Sequence, residues 1–179
     1  MRSIYFKVTI TFGCLIGLIN IILAQGLKYM KIDIFSYINY IAYIPVLLLL
    51  YFAIKTYNKK VKHPISLKNA ISVSLLTNII SSLIISIFSY LYFNIYTNEL
   101  NSIKEQSYKE YIKRSDKASN KTANIPDNED FEEYINTQYE PYKLALSNFT
   151  VGVFLSMVLS LIISVFYKII NRKLNVQYN

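Results

Sequence analysis

Four stretches of the chain carry no Asp, Glu, Lys, Arg or His over about the 17 to 25 residues that a bilayer core demands. They are Val8–Leu27, Ile34–Ile54, Ala70–Asn98 and Leu144–Tyr167. A surface helix of a soluble protein pairs an apolar stripe with a polar face, whereas these runs are apolar all round. The pattern predicts an all-α membrane protein with four transmembrane helices. A helical hairpin on the outer face is inserted between the third and fourth. Three spans fall in residues 1–96 (8–27, 34–54 and 70–96), the hairpin in 97–147, the fourth span in 148–170 and a tail in 171–179. The second span is polar in its first third (Ser36, Tyr37, Asn39, Tyr40) and strongest over Ile41–Ile54. Pro45 inside it can kink a membrane helix, because neighbouring helices satisfy the freed carbonyl.

The first run also resembles a signal peptide, with a basic start and Ala24-Gln25-Gly26 as a cleavage site. Its length and the bulky Ile22 favour a retained span.

The insertion has a different pattern. Leu100, Ile103, Tyr108, Tyr111 and Ile112 recur at helical spacing, so the third span is expected to continue outward as an amphipathic helix. Ser115–Asn128, with Pro126, reads as a turn. A second helical pattern follows in Phe131, Tyr134, Ile135 and Tyr139, and Pro141 kinks or ends it. Lys113, Arg114, Lys117 and Lys121 close the first arm, and Asp127, Glu129, Asp130, Glu132 and Glu133 open the second. Each group suits its helix end and the two would meet at the tip. The aromatic residues Tyr108, Tyr111, Phe131, Tyr134 and Tyr139 form a candidate partner surface.

Charge then orients the spans. The net charge of +8 would suggest nucleic acid, but the bases are sorted by position. Arg2, Lys7, Lys55, Lys59, Lys60, Lys62, Lys68, Lys168, Arg172 and Lys173 share one side with no acid. The other side holds Lys28, Lys31 and Asp33, then seven bases against ten acids between spans three and four. By the positive-inside rule, both termini and the lysine loop are cytoplasmic. Tyr37, Tyr40, Tyr57, Tyr90, Tyr92, Tyr96, Tyr142 and Tyr167 are expected at the membrane surfaces as an aromatic belt.

Small residues suggest how the spans meet, since close approach and a few polar contacts drive association in lipid. Span one offers Thr9, Gly13, Gly17 and Asn20; span three offers Ser74, Asn78, Ser82 and Ser86. Span four offers Asn148, Gly152, Ser156, Ser160 and Ser164. At about 1.5 Å per residue, Asn20 lies roughly 5 Å outside the midplane and Asn78 about as far inside. Span four, running the other way, brings Ser156 near the level of Asn20 and Ser160 near that of Asn78. Span four is therefore expected to pack between spans one and three. The alternative use of these groups is a polar path.

Reactive chemistry is sparse. No ionisable residue lies within a span, which disfavours proton-coupled carriers, pumps and voltage sensors. His63 stands alone in a basic loop, and Cys14 has no second cysteine to pair with. No metal-ligand cluster, phosphate loop or nucleophile elbow is present, so no catalytic residue, metal or cofactor is expected. Asp127–Glu133 lacks the glycine of a calcium loop. Lys55–Lys68 could attract anionic lipid, though its role in topology accounts for it. Asn120-Lys121-Thr122 and Asn148-Phe149-Thr150 match a glycosylation pattern too common to carry weight.

The stretches Ala53-Ile54-Lys55-Thr56-Tyr57-Asn58-Lys59-Lys60 and Ile65-Ser66-Leu67-Lys68-Asn69-Ala70 resemble a bacterial membrane family, domain of unknown function 4199. The glycine-bearing first span, the long charged insertion and the closing Asn171-Arg172-Lys173 are similar as well. Ser74 departs from the pattern, standing where a glycine is expected. The resemblance implies four spans in a bacterial inner membrane and carries no functional residues. Two functions stay open. One is a non-enzymatic scaffold or accessory subunit, its hairpin binding another envelope or membrane protein or a second copy. The other is a small oligomeric transporter or channel lined by Asn20, Asn78 and the span-four serines.

Overall fold

A computed structural model describes residues 2–29, 43–61, 65–118 and 128–177. All the regular structure among them is α-helical: α1 (Arg2–Tyr29), α2 (Tyr43–Val61), α3 (Leu67–Ile95), α4 (Thr97–Ala118), α5 (Asn128–Gln138) and α6 (Pro141–Gln177). Stretches within α1, α3 and α6 (Arg2–Leu27, Leu67–Ile95 and Pro141–Asn171) are long and apolar enough to cross a membrane. The second expected span is described only from Tyr43, where α2 is short and carries Lys55, Lys59 and Lys60. Ser36, Tyr37, Asn39, Tyr40, Lys31, Asp33, His63 and the turn at Pro126 lie outside the described residues.

The helix ends follow from local chemistry. The Ser66 hydroxyl accepts from the Asn69 amide at 3.2 Å, capping the start of α3. Pro141 opens α6, with the Glu140 carbonyl accepting from the Leu144 amide at 3.0 Å. A proline at the first helical position costs nothing, because its missing N–H would have had no partner there. The expected continuation of span three into the insertion is interrupted rather than smooth. Tyr96 separates α3 from α4, and its carbonyl accepts from Glu99 and Leu100 to start a new helix. Glu99 in that first turn suits the positive helix end and also accepts from the Tyr92 hydroxyl.

The chain divides into two compact units, Met1–Ile85 with Asn148–Asn179, and Ser86–Ser147. In the first, Leu50, Ala53, Ile54, Ala70 and Val73 are fully buried and join Tyr57 and Tyr167 in one core. Around it the outward faces stay apolar: Phe6, Leu18 and Ile22 on α1, and Phe154, Leu161 and Phe166 on α6, are each more than half exposed. Water does not tolerate apolar faces of this extent on a stable soluble domain, while lipid does.

The second unit is built differently. Leu100 of α4 and Ile135 of α5 are buried, and the two helices pack on each other. Tyr108 stacks on Phe131 with ring centres 6.4 Å apart. Lys104 donates to Asn136 at 3.2 Å. The Ser86 hydroxyl donates to the Ala145 carbonyl at 2.6 Å.

Candidate functional site

The chemistry of the first unit gathers where α3 meets α1 on one side and α6 on the other. A Cβ placed on Gly13 would lie 2.8 Å from Ile80 Cβ and 2.8 Å from the Thr77 carbonyl oxygen. At Gly17 it would lie 3.0 Å from Ile84 Cγ2. The α1 backbone therefore rests directly on α3, with no room for a side chain between them. Span four was expected between spans one and three. That arrangement is corrected, because no helix fits into a gap of this size, and α3 is the shared neighbour.

On its other side α3 meets α6. A Cβ on Gly152 would lie 2.5 Å from Ser82 Oγ. Ser74 Oγ is 3.2 Å from Ser164 Oγ and 3.5 Å from the Ser160 carbonyl oxygen. Rising numbers on α3 meet falling numbers on α6, so the two helices run antiparallel. Ser156, Ser160 and Ser164 are almost completely buried, and so are Ser74 and Thr77. Ser74 thus occupies its unexpected position productively: a serine is small enough for the approach and bonds across it.

Most of these hydroxyls are satisfied within their own helix. Thr77 donates to the Val73 carbonyl at 2.7 Å, and Ser156 to the Gly152 carbonyl at 2.6 Å. Thr9 bonds the Tyr5 and Phe6 carbonyls in the same way. Such back-bonding lets a polar side chain sit in an apolar setting without a partner helix. Two groups among the described residues stand apart: the Asn78 side-chain nitrogen and the Ser160 hydroxyl are buried with no protein partner. Asn20, on α1, is half-buried, and Asn148 at the head of the α6 ridge is exposed.

Where the bases gather, a second polar group closes the unit. Asn58 donates from Nδ2 to the Tyr167 hydroxyl at 2.9 Å and accepts on Oδ1 from the Ile65 amide at 3.1 Å. Asn171 donates to the Tyr167 carbonyl at 2.8 Å. Tyr167 also packs on Tyr51, with ring centres 5.4 Å apart. Tyr5 bonds Ser72 through its hydroxyl and meets the Tyr57 ring edge-on. Tyr57 and Tyr167 are therefore buried and do not belong to a surface belt, because each ring packs against another tyrosine in the core. Tyr90, Tyr96 and Tyr142 are about half exposed. The sequence pattern missed this cluster, and the tyrosine and asparagine spacing in each helix holds no signal that would pair them.

In the second unit the aromatic set is divided. Tyr108 and Phe131 are half-buried against each other, and the Tyr139 hydroxyl lies 2.7 Å from Ser107 Oγ. Tyr134 is 56% exposed, so of the described members it alone presents most of its ring outward. The side chain of Tyr111 lies outside the described set, as do those of Lys113, Arg114, Lys117, Glu129, Asp130 and Glu132; Lys121 and Asp127 lie outside the described residues altogether. Among the described residues no group of three His, Cys, Asp or Glu side chains could hold a metal. Cys14 is half-buried.

A family model described as protein of unknown function, DUF4199, matches residues 11–168. The chain belongs to that family. No curated protein and no solved structure matches it.

Proposed function

We propose that this chain is a four-span protein of a bacterial inner membrane and acts as a non-enzymatic scaffold or accessory subunit. Both termini and the lysine loop lie in the cytoplasm, and residues 97–147 form an outward helical hairpin. Its partner is another envelope or membrane protein.

The observation that carries this reading is how the small-residue ridges are used. Gly13, Gly17 and Gly152 are engaged in helix contacts, and Ser74, Ser86 and Ser156 are bonded to nearby carbonyls, which describes an anchor. A polar path would need hydroxyls free to receive a solute. The exposed Tyr134 ring and the mixed charges of the insertion suit protein contact.

A transporter or channel is the second reading, favoured by one observation: Asn78 and Ser160 are buried without partners in the seam. Extraction in mild detergent after cross-linking, followed by mass spectrometry, separates the two. A stoichiometric partner cross-linked through residues 97–147 is the expected result. A lone oligomer that passes solute across liposomes would overturn the scaffold reading.

A further inference from the structure

We infer that the α3–α6 seam binds one water molecule, held between the Asn78 side-chain amide and the Ser160 hydroxyl. This stands independently of the scaffold reading, since it concerns only what the seam must hold to be satisfied.

Asn78 is 5% exposed and Ser160 fully buried, and neither Asn78 Nδ2 nor Ser160 Oγ has a protein partner. A buried polar group without a hydrogen bond is costly, and one in lipid has no bulk water to turn to. Geometry brings the two together. Ser74 sits against Ser160 and Ser164, and Ser82 sits against Gly152, so Asn78 falls at the level between Ser156 and Ser160. Side chains on a helix lean toward its amino end. On antiparallel helices, Asn78 and Ser160 therefore lean toward each other, and neither bonds the other. Two unmet polar groups placed in this way are bridged by water.

The unmet groups also select the ligand. An amide nitrogen offers hydrogens only, which repel a metal cation. An anion would be a buried charge with no counter-charge, since no span contains an ionisable residue. Water accepts from Asn78, exchanges a bond with Ser160, and can donate to a lone pair of Ser156 Oγ, whose own proton goes to the Gly152 carbonyl. That makes three bonds, the usual number for a buried water. Water also serves the asparagine in either amide orientation, which a cation does not.

The test is proton-detected solid-state NMR on the full chain, isotopically labelled and reconstituted in deuterated lipid. A cross-peak between the Asn78 side-chain amide protons and water is expected. In Ser160→Ala it should weaken, by at most about fivefold, since losing one hydrogen bond of about 1 kcal/mol lowers the binding constant by that factor. An Asn78 amide that correlates with a serine hydroxyl and not with water would overturn the proposal. So would a water cross-peak unchanged in Ser160→Ala. The wild-type measurement decides even if the variant does not fold.

Discussion

The unit around Gly13 and Ser160 and the unit around Leu100 and Ile135 are both helical and both bury apolar side chains, yet they differ in how closely their helices approach and in what faces outward. In the first, glycine and serine line the α1–α3 and α3–α6 contacts beside a core of Leu50, Ile54 and Val73, while Phe6, Leu18, Phe154 and Leu161 face outward. In the second, Leu100 and Ile135 turn inward, and Lys109 and Glu105 form an exposed pair at 3.7 Å. The contrast is what a change of solvent demands. Lipid offers apolar side chains nothing to escape from, so close backbone approach decides which faces meet. Water drives apolar side chains together and leaves charge outside.

Five substitutions would break or sharpen that contrast. Gly13→Leu should be the most damaging, at about 3 kcal/mol, because its side chain meets the Thr77 carbonyl as well as Ile80. Unfolding in bicelles by steric trapping would measure it, and a neutral result would remove the close α1–α3 contact. Leu100→Ala should cost about 2 kcal/mol through lost burial. Hydrogen exchange should report that loss in α4 and α5 alone; equal loosening of α1 would erase the distinction between the units. Gly17→Ala should cost about 1 kcal/mol, since Ile84 must give way, while Gly26→Ala should be neutral or stabilising by up to about 1 kcal/mol. Nothing approaches a Cβ at Gly26, so thermal unfolding of the pair isolates close approach from helix propensity. Ser74→Ala should be the mildest, at about 0.6 kcal/mol for one interhelical hydrogen bond in a membrane protein. A loss above about 2 kcal/mol would mean that the serine ladder, rather than the glycine contacts, holds the seam.

The helices that sequence alone determined are those whose signal is local. Long uncharged runs mark α1, α3 and α6, the break expected at Pro141 falls between α5 and α6, and the periodic apolar positions mark α4 and α5. The small-residue ridges were legible too, because a four-residue repeat of glycine and serine has little use other than close contact. Even so, the order of the helices was not readable. Ridge spacing says that a face is thin without saying which helix lies on it, and tertiary structure gave both the Gly13 face and the Gly152 face to α3.

The same holds for single residues. Gly13, Gly17 and Gly26 look alike in a helix, but only the position of α3 makes the first intolerant and leaves the last free. Tyr57 and Tyr167 read as belt residues until Tyr5, Tyr51 and Asn58 arrive from elsewhere in the fold. Sequence by itself determined where these helices form and that α1, α3 and α6, among the four spans it predicted, suit a bilayer, because those depend on residues within a few turns. Which faces meet, and that Asn78 and Ser160 are buried without protein partners, only tertiary structure decided, because those depend on neighbours more than sixty residues away.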